Sequence, residues 1–416
     1  MEINLILFSS PLHGEIKLSP KRREIIEHFK KYGNVKISDE KSLDFSKKNY
    51  EEGLNILYIL TGGTEESFLN RFPLLNRPII ILSDSYDNSL AAALEICTSL
   101  FNNHIEHYHI NAPLIIGDSF VKKLNDSMTM FKKIMHGQKV LFGMKIGILG
   151  ESSPWLIASG INKTTVQEDF KIKFISIQVE ELIEEYKSFS RNYTESKIDE
   201  FVKEVDKMVA LYHSHLSEGR TEADLREAVI MYFAIYDICK KYKLDAVTIR
   251  CFSLINSCKT TACLALAILN DKGIIAGCEG DIPALLSMAS VAKLTKEPCF
   301  MANISSIDTD NYSIDLSHCT IPLSMTKKFS LPSHFESRKG IGINGIVQEG
   351  NYTLFKFSGM NMEQSILCPG RVVKCDYLKE RCRTQIRFVF DNKEDFNKFL
   401  NCRIANHVVI NKTVDI

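Results

Sequence analysis

The side chains able to do chemistry in this sequence concentrate in its last third. The run Ile274-Ile275-Ala276-Gly277-Cys278-Glu279-Gly280-Asp281-Ile282-Pro283-Ala284 reads as a buried strand ending at Gly277, followed by a helix. Asp281 has the type of an N-cap and Pro283 suits a first helical turn, so a structural role accounts for Asp281. Glu279 is different. It stands at the C-terminal end of a strand with Gly277 and Gly280 on either side. Ligands bind at such strand ends, and glycine lets backbone approach a neighbour closely. Three histidines follow: His318 in Leu316-Ser317-His318-Cys319-Thr320, His334 in Ser333-His334-Phe335-Glu336-Ser337, and His407 in Asn406-His407-Val408-Val409. Each alone is more simply a core or turn histidine. With Glu279 they make a donor set suited to Mn, Fe, Co or Zn, although spacing cannot assemble ligands so far apart.

Other polar features carry two readings each. Arg250 ends the strand read at Ala246–Arg250 and either forms an ion pair or orients a polar substrate. Trp155, the only tryptophan, follows Gly150-Glu151-Ser152-Ser153-Pro154 at another strand end, where an indole stacks on a sugar face or simply packs. Thr61-Gly62-Gly63-Thr64 lies between a strand and a helix, as a phosphate cradle would. It lacks the full dinucleotide or Walker pattern, and a plain tight turn is the simpler reading.

The elements that must position these groups follow an α/β pattern. Ile3–Phe8, Leu54–Leu60 and Pro78–Leu82 read as strands, with helices after Ser19-Pro20, from Glu65 and over Asn88–Leu100. Strand, loop and helix at this spacing predict a parallel sheet covered by helices. A second such unit starts at Lys145–Leu149, runs through Phe174–Ile177 and charged helices over 180–242, and includes Ala246–Arg250, a helix through Leu264–Leu269 and Ile274–Ala276. Thr221 and Asp224 resemble a capping box. After about 296 helical periodicity disappears, and short alternating runs such as Tyr352–Phe357, Arg371–Cys375, Thr384–Phe390 and His407–Ile410 predict a small antiparallel, barrel-like domain. The expected fold is therefore two Rossmann-like α/β domains, 1–143 and 144–295, followed by a β-rich domain, 296–416.

Composition narrows the function classes. The 416 residues are 45% hydrophobic and 25% charged, the balance of a globular chain. Lys plus Arg and Asp plus Glu are each 51, so the formal net charge is zero. That argues against nucleic-acid or membrane-surface binding, which draws on excess basic charge. No apolar stretch approaches the ~18 residues of a membrane span. The 12 cysteines include no CxxC pair, and most sit in apolar runs, as small hydrophobes do. Met1-Glu2-Ile3-Asn4 opens a strand and has no basic n-region. A cytoplasmic, reduced protein acting on a small neutral molecule is expected.

The motifs Cys278-Glu279-Gly280-Asp281-Ile282-Pro283, Pro298-Cys299-Phe300-Met301-Ala302-Asn303, Leu316-Ser317-His318-Cys319-Thr320, Ser333-His334-Phe335-Glu336-Ser337 and Asn406-His407-Val408-Val409 together resemble the L-fucose isomerase and L-arabinose isomerase superfamily, in its fucose-isomerase-like branch. The resemblance implies two α/β domains and a β-rich domain, and a divalent metal, Mn²⁺ or another such as Co²⁺. It also implies aldose–ketose isomerisation through an enediol, in a homo-oligomer (trimer or hexamer). By position it implies Glu279, His318 and His407 as metal ligands, with Glu279 also moving a proton. The family's second metal-binding carboxylate falls on Asn303, which cannot act as a base, so Asp281, Asp308 or Glu336 must replace it or the chemistry differs. Arg250, Trp155, His334 and Glu336 are expected to contact the sugar. A noncatalytic sugar-binding relative is the alternative.

Overall fold

The fold, known from a computed structural model, is described for residues 2–13, 18–42, 53–71, 73, 78–211, 215–402 and 404–413. The chain divides into two compact units, Met1–Lys139 and Val140–Ile416. In the first, strands β1 (Glu2–Phe8), β2 (Asn34–Asp39), β3 (Leu54–Ile59), β4 (Ile79–Ser83) and β5 (His107–Asn111) form a parallel sheet in the order β2-β1-β3-β4-β5. Helices α1 (Pro20–Lys30), α2 (Glu65–Arg71), α3 (Ser89–Asn102) and α4 (Asp118–Gln138) cover it. Successive strand side chains point to opposite faces. Leu5 and Leu7 accordingly join a core with Phe29 of α1 and Phe131 of α4, while Ile6 and Phe8 join one with Phe68 of α2 and Ile96 of α3. One amide of the Thr61-Gly62-Gly63-Thr64 turn serves the fold: Gly62 N–H donates to Asp87 O at 2.9 Å.

The second unit contains a four-stranded parallel sheet and a closed barrel. Strands β6 (Lys145–Leu149), β7 (Lys173–Ile177), β9 (Ala246–Ile249) and β10 (Ile275–Cys278) lie in the order β10-β9-β6-β7. They alternate with α5 (Lys163–Phe170), α6 (Val179–Asn192), α7 (Glu195–Leu211), α8 (Glu222–Tyr242), α9 (Cys263–Asp271) and α10 (Ile282–Thr295). The Thr221–Asp224 capping box is formed at the start of α8. Strands β11 (Phe300–Asp308), β12 (Ser313–His318), β15 (Gly350–Ser358), β16 (Gln364–Val373), β17 (Thr384–Phe390) and β18 (His407–Lys412) close as β11-β12-β17-β16-β15-β18. A short sheet of β8 (His215–Leu216), β13 (Thr326–Leu331) and β14 (Asn344–Val347) completes the unit. The expected boundary at 296 falls inside this unit, because α10 packs on β15 and β18 and one continuous core serves sheet and barrel.

Two features depart from the sequence reading. After 296 the chain is not purely β: α11 (Lys393–Asn401) is capped by the Asn392 side chain, which accepts from Asp395 N–H at 2.9 Å. It buries only Phe396 and Phe399 over nine residues, too short a pattern to declare a period. Strand β16 begins at Gln364, well before the Arg371 expected from the sequence, although Cys368-Pro369-Gly370 has the composition of a turn. Here Pro369 instead pairs with Thr353 of β15, and β17 pairs only from Gly370 onward.

The barrel also carries an ion pair across adjacent strands, with a buried carboxylate and partly exposed guanidinium groups. Asp315 stands opposite Arg387 in the β12–β17 register, with Nε–Oδ1 2.8 Å, and Arg381 adds a second contact at 2.8 Å. Burial alone would raise the Asp315 carboxyl; the two guanidinium groups outweigh it and hold it below its ordinary value. A depressed carboxylate contributes stability above its unfolded pKa, and that stability is lost as pH falls through the folded value. Solvent screens the partly exposed guanidinium groups, so Asp315→Asn is expected to cost about 1 kcal/mol at neutral pH. The difference from wild type should shrink below about pH 4, as followed by urea unfolding across pH.

Candidate metal centre

Strand β10 ends at Cys278, and the chain reverses through two consecutive left-handed residues, Glu279 at φ 63° and Gly280 at φ 70°. A Cβ on Gly280 would lie 2.7 Å from both Glu151 O and Ser152 Cα. Glycine is needed here because another backbone segment, not a ligand, lies against it. Glu279 has no such freedom, and the surrounding hydrogen bonds hold its unfavourable conformation. Ser153 N–H donates to Glu279 O at 2.9 Å, Gly280 N–H to Ile249 O at 3.1 Å, and Ser152 Oγ to Gly280 O at 2.7 Å. The loop after β6 and the end of β9 thus aim the Glu279 side chain.

That side chain meets two histidines from the barrel. Glu279 Oε1 lies 3.5 Å from His407 Nε2 and 3.9 Å from His318 Nε2. All three residues are buried, and one ligand atom from each lies within 4.8 Å of the others. The other ends are held by the protein. Trp155 Nε1–H donates to Glu279 Oε2 at 2.7 Å, His407 Nδ1 meets Asp281 Oδ2 at 2.8 Å, and His318 Nδ1 meets Thr320 Oγ1 at 2.9 Å. Partners on Nδ1 leave each Nε2 free to bind a metal. Among the described residues, the buried His407 Nε2 and Asn303 amide oxygen have no hydrogen-bond partner, and Asn303 stands directly opposite His407 in the β11–β18 register. Inward-facing oxygen and nitrogen donors, two of them orphaned, fit a divalent cation of the Mn, Fe, Co or Zn type.

The local electrostatics agree with this charge arrangement. Burial alone would raise the Glu279 carboxyl, but the adjacent His318 and His407 imidazoles hold it well below the carboxylate range. Burial would likewise raise Asp281, and Lys356 with His407 overrides it. His407 is pushed up from its ordinary value despite burial, because Asp281 and Glu279 flank it.

Asn303, His334 and Glu336 line the same cavity as Glu279 and His318. Trp155 reaches the site as a hydrogen-bond donor to Glu279, with its ring against Phe252 at 4.8 Å. Two expected residues are not brought there. Asp308 lies half-buried at the far end of β11, where its carboxylate accepts from Asp310 N–H, Asn311 N–H and Asn311 Nδ2 and caps the turn. Arg250 lines a separate polar cavity with Gly150, Gln178 and Ser253, beyond the ends of β6, β7 and β9. Asp281 is buried beneath the site as cap and histidine partner.

Sequence reasoning missed the cysteines and a lysine. Cys251, Cys263, Cys278, Cys319 and Cys382 line the cavity, with Cys251 and Cys278 sulfurs 2.8 Å apart. Lys356 is fully buried, its Nζ 3.5 Å from Asp281 Oδ2. A signal for it existed: Tyr352, Leu354 and Lys356 alternate along β15, and all three are buried. A charge at an inward strand position asks for a partner.

No family model matches the chain. It is similar to a sulfoquinovose isomerase of Alkalicoccus urumqiensis, 23% identical over 233 residues, which is 54% of this chain and 50% of that protein. A sulfoquinovose isomerase of Clostridium sp. (strain MSTE9) is 29% identical over 152 residues, covering 36% and 32%. One from Priestia aryabhattai is 21% identical over 219 residues, covering 51% and 46%. The chain thus spans half or less of the length of these curated relatives. The similarity supports a sugar-isomerase superfamily without choosing a branch.

Removing one member of a buried ion pair strands the other. Lys356→Met is expected to lower stability by about 3 kcal/mol, read from the denaturant midpoint at unchanged slope.

Proposed function

We propose that this chain is a metal-dependent aldose–ketose isomerase acting on a sugar or sugar derivative through an enediol intermediate. One observation carries the reading: ligand atoms of Glu279, His318 and His407 converge within 4.8 Å of one another, beside a cavity that Glu279 and His318 line. The sulfoquinovose isomerases among its relatives add support for the reaction class. A divalent cation held by these three residues, with the Asn303 oxygen as a further donor, would polarise a carbonyl and acidify a neighbouring hydroxyl.

The protein's own groups divide the remaining work. Glu279 is anionic at neutral pH, with one oxygen fixed by the Trp155 indole, so the carboxylate is held as an acceptor for the proton on C2. Asn303 cannot serve as a second base, Asp281 is engaged by His407 and Lys356, and Asp308 caps a distant turn. Glu336, the other carboxylate lining the cavity, takes the second acid–base role. The Asn303 amide, where the related pattern has a carboxylate, favours a second reading: a noncatalytic sugar-binding relative.

The test follows sulfoquinovose, L-fucose and L-arabinose by proton NMR in D₂O with Mn²⁺. Isomerisation with deuterium entering at C2, lost in Glu279→Gln, is expected. Binding of a sugar without exchange or product would favour the second reading. Glu279→Ala and His407→Ala should each weaken Mn²⁺ binding by more than about tenfold in calorimetry. Unchanged affinity in both would overturn the ligand assignment.

A further inference from the structure

We propose that His334 is a further catalytic residue: a neutral imidazole whose Nε2–H donates a hydrogen bond to the substrate oxygen that gains negative charge as the C2 proton leaves. The inference rests on the isomerase reading and adds to it a donor for that charge.

The tautomer follows from the local turn. Ser337 N–H donates to His334 Nδ1 at 3.3 Å, with Ser337 Oγ at 3.0 Å from the same nitrogen. An amide N–H can only donate, so Nδ1 carries the lone pair and Nε2 carries the proton. Among the described residues Nε2 makes no hydrogen bond, and the residue lines the cavity that contains Glu279. Burial pushes the imidazole below its ordinary value, which keeps it neutral at physiological pH. A neutral imidazole can still polarise an oxygen by donation, as an electrophile rather than an acid.

The ring is also held in place relative to Glu279. Its edge packs on Phe252 at 5.8 Å and 75°, Phe252 packs on Trp155 at 4.8 Å and 88°, and Trp155 donates to Glu279. A continuous aromatic wall therefore joins the proposed base to the proposed donor. The turn bearing His334 is anchored from behind. The buried Arg383 donates from Nε to Ser333 O at 2.8 Å, His334 N–H donates to Lys339 O at 3.0 Å, and Arg338 N–H to His334 O at 2.9 Å. A donor fixed before the reaction needs no reorganisation when charge develops, which makes one such hydrogen bond worth about 10²–10³ in rate.

The full chain with Mn²⁺ is assayed on sulfoquinovose, L-fucose and L-arabinose as wild type, His334→Leu and His334→Gln. The leucine variant should lose about 10²-fold in kcat. KM should move less than about tenfold, with Mn²⁺ affinity and the unfolding midpoint at wild-type values. The glutamine variant, which keeps an N–H donor at similar reach, should recover at least about tenfold of that loss. Equal kcat in wild type and His334→Leu overturns the proposal, and so does equal loss in both variants together with weakened Mn²⁺ binding. A wild type inactive on all three sugars overturns the isomerase reading itself, and this inference with it. ¹⁵N NMR of histidine-labelled, metal-free wild type gives a check independent of turnover and of variant folding. Protonation at Nε2 of His334 is expected, and protonation at Nδ1 overturns the donor role.

Discussion

Asp281 receives partners from three elements that are far apart in the chain. Its Oδ1 accepts the Ala284 N–H that opens α10 at 2.9 Å, while its Oδ2 meets His407 Nδ1 of β18 at 2.8 Å and lies 3.5 Å from Lys356 Nζ of β15. All three side chains are essentially excluded from solvent. A buried carboxylate is tolerable only with such compensation, and each partner is equally costly to bury alone. The parallel sheet and the barrel are thus locked in one arrangement near the site. His407 can present Nε2 to Glu279 only because Nδ1 is already occupied.

The turn carrying Glu279 is the second consequence of that arrangement. A helix capped by Asp281 must start immediately after the strand that ends at Cys278, leaving two residues to reverse the chain. Both are left-handed, and only one of them is glycine. The strain at Glu279 is held by hydrogen bonds from the loop after β6, and the same loop supplies the indole that fixes one carboxylate oxygen. Backbone strain, helix cap and side-chain aim are therefore one structural solution.

The thiols around the cavity add a different property. Five of the 12 cysteines of the chain line the space next to Glu279 and His318. As small, weakly polar side chains most of them fill the wall; Cys319 is the exception, its thiol held below its ordinary value by Cys382 and the nearby His334 and His318 imidazoles. The polar groups of the cavity are consequently few and individually placed, which is how small-molecule sites obtain orientation from a mostly apolar lining.

Much of this was legible locally. The continuous apolar runs of β1 and β3, the alternation along β17, the proline and aspartate at the start of α10, and the Thr221–Asp224 cap are properties of neighbouring residues, and the backbone expresses them wherever the segment packs. Glu279 was conspicuous for its place at a strand end beside glycine. The short α11 and the first half of β16 were not legible, because two apolar residues do not make a period and Pro369-Gly370 imitates a turn. Nor could the sequence separate Asp308 and Arg250 from His334 and Glu336, since all four sit at element ends with suitable types. Register and closure of the barrel decided it. They brought Asn303 opposite His407, carried His318 to Glu279, and left Asp308 at the far end of its strand. Residue type and local spacing determine what each group can do, whereas convergence depends on contacts more than a hundred residues apart in sequence, which only the packed core specifies.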